Sequence, residues 1–219
     1  MPEGDTVHLV ARNLRAALAG HVLVRCDLRV PALATVDLSG QRVLDVIARG
    51  KHLLTRFEAG STLHTHLRME GAWHLYRLGA RWSGGPLHQV RVVLGTEQWT
   101  AVGSRLGVVE LLATADEHLA VGHLGPDLLD DDFDLAEATR RLGSDGDRPV
   151  GEAVLDQRNI AGIGNLYKAE VLFLSGVSPW RPVVEVGDLE SLVVRARRLL
   201  QAELPCACAA ADNVVAMVR

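Results

Sequence analysis

The apolar positions near the start of the chain recur at helical spacing. They form one stripe between Thr6 and Ala19, and Gly20 follows the last of them. The members of the stripe are Val7, Val10, Leu14, Ala17 and Leu18. This spacing predicts an amphipathic helix over Thr6 to Ala19 that ends at the glycine.

From Val22 to Leu112 the pattern changes to short β-branched runs separated by glycine-containing turns. The clearest runs are Val22–Val24, Val43–Ile47, His52–Phe57 and Val90–Leu94. Many short strands with frequent turns are typical of a β-sandwich or barrel. The sequence Ser83-Gly84-Gly85-Pro86 predicts a hairpin loop between two of the strands.

An acidic stretch with Pro and Gly at residues 121–132 predicts a linker, and helical spacing follows it. The candidate helices are Phe133 to Leu142, Val150 to Gln157, Asn165 to Leu174 and Leu189 to Leu204. We therefore expect an α+β protein with a helix and β-sandwich domain at 1–120, a helical domain at 133–204, and a weakly patterned tail at 205–219.

Composition indicates a globular protein. Apolar residues make up 48% of the 219 residues, and no apolar run reaches membrane-spanning length. The N-terminus lacks the layout of a signal peptide, so we expect a cytoplasmic protein, and we expect a monomer. The three cysteines, Cys26, Cys206 and Cys208, form neither a disulfide framework nor a four-cysteine zinc site.

The net charge of −4 bears on the choice of partner. A nucleic-acid-binding domain usually carries a strongly basic surface, and this composition does not provide one for the whole chain. The charge therefore argues against nucleic acid, although a local arginine groove is compatible with it.

The first residues carry candidate chemistry together with Lys51. If Met1 is removed, Pro2 presents a free secondary amine that can attack an aldehyde carbon, and Glu3 beside it can move protons. Lys51 is one of only two lysines against 21 arginines, and unlike arginine it can give up a proton. The alternatives are an ordinary terminus and a solvated surface charge.

Two further motifs point to anionic ligands. Gly162-Ile163-Gly164-Asn165 lies at the start of a candidate helix, where clustered backbone N–H groups bind anions, and Asn165 can cap the helix. A plain helix–turn–helix corner is the alternative. His64 and His66 are spaced for a metal but lack a third ligand nearby. Alternatively, His66 and Arg68 face phosphate, with Met69 as an apolar wedge for a base stack.

These motifs together resemble the formamidopyrimidine-DNA glycosylase/endonuclease VIII family. The resemblance rests on four segments in register, covers about residues 2–204, and through Gly4 favours the endonuclease VIII branch. The segments are Pro2–Gly4, Gly50–Leu54, His64–Gly71 and Leu155–Tyr167. It implies a β-sandwich followed by a helix–two-turns–helix domain, with damaged or abasic double-stranded DNA in the cleft between them.

The resemblance also implies a bifunctional DNA glycosylase/AP lyase that removes oxidised pyrimidines. Pro2 then attacks the sugar C1′ to form a Schiff base, Glu3 assists proton transfer, and Lys51 donates a proton or stabilises charge. Thr6 stands where many relatives carry a glutamate, which puts a proton relay through that position in question.

Further residues match the family's DNA contacts. The phosphate contacts are His66, Asn165 and the Gly162–Gly164 turn, with Arg68 beside them. Met69 matches the intercalating residue, and Arg105 and Leu106 lie where relatives have a void-filling loop, although Ser104 and Leu106 depart from its pattern.

The sequence shows no counterpart of the family's C-terminal zinc ribbon, so we expect no metal and no other cofactor in this chain. A second hypothesis is therefore a damaged-DNA-binding protein with reduced or no turnover.

Overall fold

The computed structural model describes residues 2–204, and its element order is a helix, eight strands and then five helices. The first helix is α1 (Gly4–Leu18). The strands are β1 (Arg25–Leu28), β2 (Val43–Arg49), β3 (His52–Phe57), β4 (Ser61–His66), β5 (Ala72–Arg77), β6 (Val90–Gly95), β7 (Trp99–Ser104) and β8 (Val108–Ala113). The later helices are α2 (Glu117–Val121), α3 (Leu135–Leu142), α4 (Val150–Leu155), α5 (Asn165–Leu174) and α6 (Leu189–Ala202).

The strands form two four-stranded antiparallel sheets, in the orders β1-β6-β7-β5 and β2-β3-β4-β8. The apolar stripe of α1 and the inner faces of both sheets share one core, which includes Leu14, Leu18, Phe57, Trp73 and Leu94. One face of each sheet packs against this core, as a sandwich requires. The predicted fold class, a helix with a β-sandwich followed by helices, is confirmed.

The predicted hairpin at Ser83 to Pro86 is wrong. The segment joins β5 to β6, but these strands are not neighbours, because each of them pairs with β7. The loop instead folds back over β5, where the Tyr76 hydroxyl accepts hydrogen bonds from the N–H groups of Ser83 (3.2 Å) and Gly84 (2.8 Å). Turn residues mark a change of direction and do not specify which strands pair.

The later helices build a second core, to which Leu142, Val154, Ile160 and Leu200 contribute. Leu128, from the acidic stretch predicted as a linker, is fully buried in this core. The domain boundaries at 120 and 133 stay a prediction.

Two of the later helices, α3 and α6, start at side-chain caps. The Asp134 carboxylate accepts from the Glu137 N–H at 2.9 Å, so α3 starts two residues later than Phe133. Asp188 caps α6 in the same way through the Ser191 N–H at 2.8 Å. None of the described helices combines the length and apolar character needed to cross a bilayer. The predicted tail at 205–219 lies outside the described residues.

Candidate active site

The start of the chain is docked into the turn that precedes α5. Glu3 is only 2% exposed, and its carboxylate accepts hydrogen bonds from the N–H groups of Gly164 (2.7 Å), Leu166 (2.8 Å) and Tyr167 (3.4 Å). The Gly4 N–H donates to the Gly162 carbonyl at 2.8 Å. Glu3 therefore caps the N-terminus of α5, which lies about 160 residues further along the chain. A helix N-terminus stabilises a negative charge.

This close approach explains the paired glycines. A Cβ on Gly164 would lie 2.4 Å from the Glu3 carboxyl carbon, and one on Gly4 would lie 2.9 Å from the Gly162 Cα. Gly162 also has a φ of +101°, which side chains disfavour. Close contacts therefore favour glycine at positions 4 and 164, and the backbone conformation favours glycine at position 162.

The prediction that the Gly162–Gly164 turn binds a phosphate is corrected. Both glycines are buried, the Gly164 N–H donates to the Glu3 carboxylate, and the Gly162 N–H donates to the Gln157 side-chain oxygen at 3.0 Å. Neither glycine therefore has a free N–H group for a phosphate. The predicted cap is also wrong, because the N-cap position is Gly164. Asn165 itself is exposed as the first residue of α5, and its Oδ1 accepts from Lys168 Nζ at 3.1 Å.

Lys51 reaches the same turn from the β2–β3 hairpin. Gly50 has a φ of +57°, and a Cβ on it would lie 3.2 Å from the Ala161 Cβ, so the hairpin tip packs against the segment before Gly162. Burial lowers the pKa of Lys51, and the Glu3 charge partly opposes this effect. The hairpin tip and the N-terminal segment that begins with Pro2 and Glu3 therefore meet at one place.

Sequence reasoning missed Asp127. Its buried carboxylate accepts from the N–H of Gly50, next to Lys51, and from the Leu129 N–H at 3.0 Å. A backbone bridge joins Asp127 to Ala161. Asp127 thus ties the Lys51 hairpin to the turn that holds Glu3. The only signal in the sequence was an acid directly before the apolar pair Leu128 and Leu129, within a stretch that looked like a linker.

The predicted DNA-contact residues on the sheets occupy two adjoining turns. Arg68 and Met69 lie between β4 and β5, where Met69 is 65% exposed. Arg105 lies between β7 and β8 and donates to Gln89 at 2.7 Å and Glu70 at 3.3 Å. Arg68 and Arg105 both adopt a positive φ, +56° and +51°. Such backbone strain occurs often at functional turns.

Leu106 is corrected from a DNA contact to a core residue. It is 7% exposed and belongs to the N-terminal core, where its Cδ1 lies 2.7 Å from the position of a Cβ on Gly103. Leu106 shares this core with Trp73, and both lie close to Gly103. Met69 and Arg105 keep exposed side chains in the two turns.

Leu106→Ala should therefore lower stability, whereas Met69→Ala should weaken DNA binding. Removing the buried Leu106 side chain should lower the free energy of unfolding by about 2–5 kcal/mol. Removing the exposed Met69 side chain should leave unfolding nearly unchanged and weaken binding to duplex DNA. Urea denaturation and DNA titration of both variants would check this, and equal stability of the two variants would contradict the burial of Leu106.

The described residues offer no metal site. No group of three His, Cys, Asp or Glu side chains between residues 2 and 204 could hold a metal ion. His64, considered as a ligand with His66, is instead hydrogen-bonded to His52 and Glu110. The zinc that the family resemblance implies therefore has no ligand set in this part of the chain, and Cys206 and Cys208 lie outside the described residues.

Family models match the chain on both sides of residue 120. The formamidopyrimidine-DNA glycosylase N-terminal domain matches residues 1–117, and the formamidopyrimidine-DNA glycosylase H2TH domain matches residues 124–206. The chain belongs to the formamidopyrimidine-DNA glycosylase family. The family predicted from the four sequence segments is confirmed.

Relatives within this family carry endonuclease VIII names, which confirms the predicted branch. The chain is 59% identical over 204 residues to "Probable endonuclease 8 2" of Streptomyces coelicolor, an alignment covering 92% of this chain and 74% of that protein. It is 49% identical over 201 residues to "DNA-(apurinic or apyrimidinic site) lyase Nei2" of Mycolicibacterium smegmatis, covering 91% and 77%.

Solved structures share the fold. The Lactococcus lactis formamidopyrimidine-DNA glycosylase, bound non-covalently to DNA with an AP site, superposes with a TM-score of 0.78 at 22% identity. The match covers 92% of this chain and 80% of that one. A MutM in complex with DNA containing carbocyclic 8-oxo-G gives the same score at 23% identity, covering 93% and 81%.

Proposed function

We propose that this protein is a bifunctional DNA glycosylase/AP lyase of base excision repair, which removes oxidised pyrimidines and nicks the strand at abasic sites. One observation carries the proposal: the N-terminal segment with Pro2 and Glu3 and the hairpin with Lys51 are brought to one place by contacts that tolerate no larger residue at Gly4 and Gly164. The names of the endonuclease VIII relatives support it.

Pro2 is the nucleophile in this proposal. With Met1 removed, its nitrogen bonds to C1′ of the damaged nucleotide while the bond from C1′ to the base breaks. The base leaves with a proton, and the sugar opens to an iminium. Loss of a proton from C2′ then breaks the C3′–O bond and releases the phosphate, and the same chemistry follows at C5′. An α-amine titrates near pH 8, so a fraction of Pro2 is unprotonated at neutral pH.

Glu3 and Lys51 handle protons around that amine. Three backbone N–H groups fix the Glu3 carboxylate, so it can accept a proton at the sugar without first being ordered. Lys51 gives up its proton more readily than a solvent-exposed lysine, because burial lowers its pKa. This Schiff-base chemistry uses the Pro2 amine, the Glu3 carboxylate and the Lys51 ammonium, and we propose that no cofactor takes part.

The partner is damaged or abasic double-stranded DNA. We propose that His66 and Asn165 bind phosphates, that Arg68 and Arg105 add positive charge, and that Met69 enters the gap left by the flipped nucleotide. Met69, Arg68, Arg105 and Asn165 are exposed, as these roles require. We further propose that the protein acts as a monomer in the cytoplasm.

Strand scission of defined duplexes tests the function. One duplex carries an abasic site and a second carries an oxidised pyrimidine, and each is incubated with the protein with and without borohydride. We expect nicked product from both and a covalent adduct in borohydride. Binding of both duplexes without nicking or adduct would favour the damaged-DNA-binding protein over the enzyme.

A further inference from the structure

Four histidines cluster on the outer face of the sheet that carries the Lys51 hairpin. His52 starts β3 and pairs across the strands with His66, the last residue of β4. The ring centroids of this pair lie 4.8 Å apart, with the rings at 84° to each other. His64 lies on the other side of His52, and the His123 ring centroid lies 6.3 Å from that of His52. The proposed mechanism uses only His66 of this cluster.

If His64 is neutral, the contacts in the line from Glu110 to His52 set one direction for each hydrogen bond. The Glu110 carboxylate only accepts, so His64 Nδ1 must donate to it across 3.2 Å. A neutral His64 then accepts at Nε2, and His52 Nδ1 donates to it across 2.8 Å. The two rings are nearly parallel at 21°, with centroids 5.1 Å apart, which is compatible with a bond between ring edges. Both histidines are therefore Nδ1–H tautomers.

His66 takes the opposite tautomer. The Arg68 N–H donates to His66 Nδ1 at 2.9 Å, so that nitrogen carries no proton and Nε2–H is the one donor left on the ring. Burial, reinforced by nearby positive charge, lowers the pKa of His66 to about 4. His66 therefore offers a phosphate a neutral N–H donor at neutral pH.

His66 is held from two sides. Arg68 fixes Nδ1, and the His52 ring limits rotation of the imidazole from the neighbouring strand. The His52 ring is in turn fixed by His64, which is 4% exposed, and His64 is fixed by Glu110 at the surface. A change at Glu110 can therefore reach His66 without contact between them.

We propose that Glu110, His64 and His52 are positioning residues that fix the orientation of the His66 ring for binding a DNA phosphate. The proposal rests on the proposed function, because it assigns His66 to DNA. The hydrogen bonds hold the His52 ring in place, and the contact between the His52 and His66 rings limits the orientation of His66.

Histidine ¹⁵N chemical shifts in the 219-residue protein test the proton assignment without DNA. Long-range ¹H–¹⁵N spectra at pH 7 should show His52 and His64 as Nδ1–H tautomers and His66 as the Nε2–H tautomer. Glu110→Ala should move His64 towards Nε2–H, which free imidazoles favour, and should shift the His66 ring signals. A wild-type His64 in the Nε2–H form would overturn the proposal.

DNA binding tests the effect on His66. Binding of a duplex with a reduced abasic site should weaken about tenfold in His66→Ala, the scale of one hydrogen bond to a charged group, and about threefold in Glu110→Ala. Because Glu110 acts through His66, the double variant should bind no more weakly than His66→Ala alone. Glu97→Ala removes an exposed acid in the turn between β6 and β7 of the other sheet; it is the matched control and should bind like the wild type.

The outcomes separate the two proposals. Additive losses in the double variant, with normal binding by the wild type, would overturn the positioning role and leave the function intact. No binding of the abasic duplex by the wild type would overturn the proposed function together with the role of His66. Glu110 is 56% exposed at its side chain, so its replacement should leave folding unchanged.

Discussion

Extending the N-terminus by a few residues should abolish borohydride trapping of this protein on abasic DNA. The extension converts the Pro2 nitrogen into a tertiary amide, whose lone pair is delocalised and cannot attack C1′. Removing a nucleophile has cost about 10⁶-fold in a well-measured covalent enzyme, so we expect a loss of at least roughly 10³-fold in single-turnover nicking. The measurement compares the extended protein with one whose mass shows that Met1 is absent.

Pro2→Gly is the control for this experiment. It leaves a primary amine at the same position, so trapping should persist at a reduced rate. Equal thermal unfolding of the extended protein and the protein without Met1 would show that the extension leaves the contacts of Glu3 and Gly4 in place. Undiminished trapping by the extended protein would exclude Pro2 as the nucleophile and direct attention to Lys51.

Gly164→Ala should lower excision and nicking by about 10²-fold or more. The new Cβ would lie 2.4 Å from the Glu3 carboxyl carbon, a distance that forces the carboxylate away from the three N–H groups at the start of α5. The displaced carboxylate would no longer anchor the segment that carries Pro2, and a shift of about 1 Å at a reacting group can cost about 10²-fold.

Gly187→Ala is the matched control for the steric argument. Nothing lies within 4 Å of a Cβ at that exposed position, so both activity and thermal unfolding should match the wild type. Far-ultraviolet circular dichroism of Gly164→Ala should retain the helical signal. Wild-type rates in the Gly164→Ala variant would show that the position of Glu3 does not matter for the reaction.

The sequence by itself determined most of the elements and the family, although the run Val22–Val24 precedes β1 and is not itself a strand. Helical spacing placed α1 and α5 within two residues of their observed limits, because an apolar stripe facing a core is a local property of the chain. Four short motifs in register identified the family. Pro2, Glu3 and Lys51 could be selected because amine and carboxylate chemistry follows from residue type alone.

Pairing and burial were decided by the tertiary structure. The Ser83–Pro86 loop follows turn chemistry, but whether β5 pairs with β6 or β7 depends on the whole sheet. Leu106 looked like a surface residue in a glycine-rich turn, and only the core beside Gly103 determines its burial. Local patterns specify how a segment folds and not which face of another segment it will meet.

Which anion the glycine turn contacts likewise depends on the tertiary structure. Gly162 and Gly164 correctly indicated clustered N–H groups and an anion, but the anion is Glu3, which approaches from the opposite end of the chain. The sequence also gave no sign of the contacts of Asp127 or of the hydrogen bonds from Glu110 to His52, because the partners are distant along the chain. A sequence states which groups can donate and accept, and the fold alone brings each donor to its acceptor.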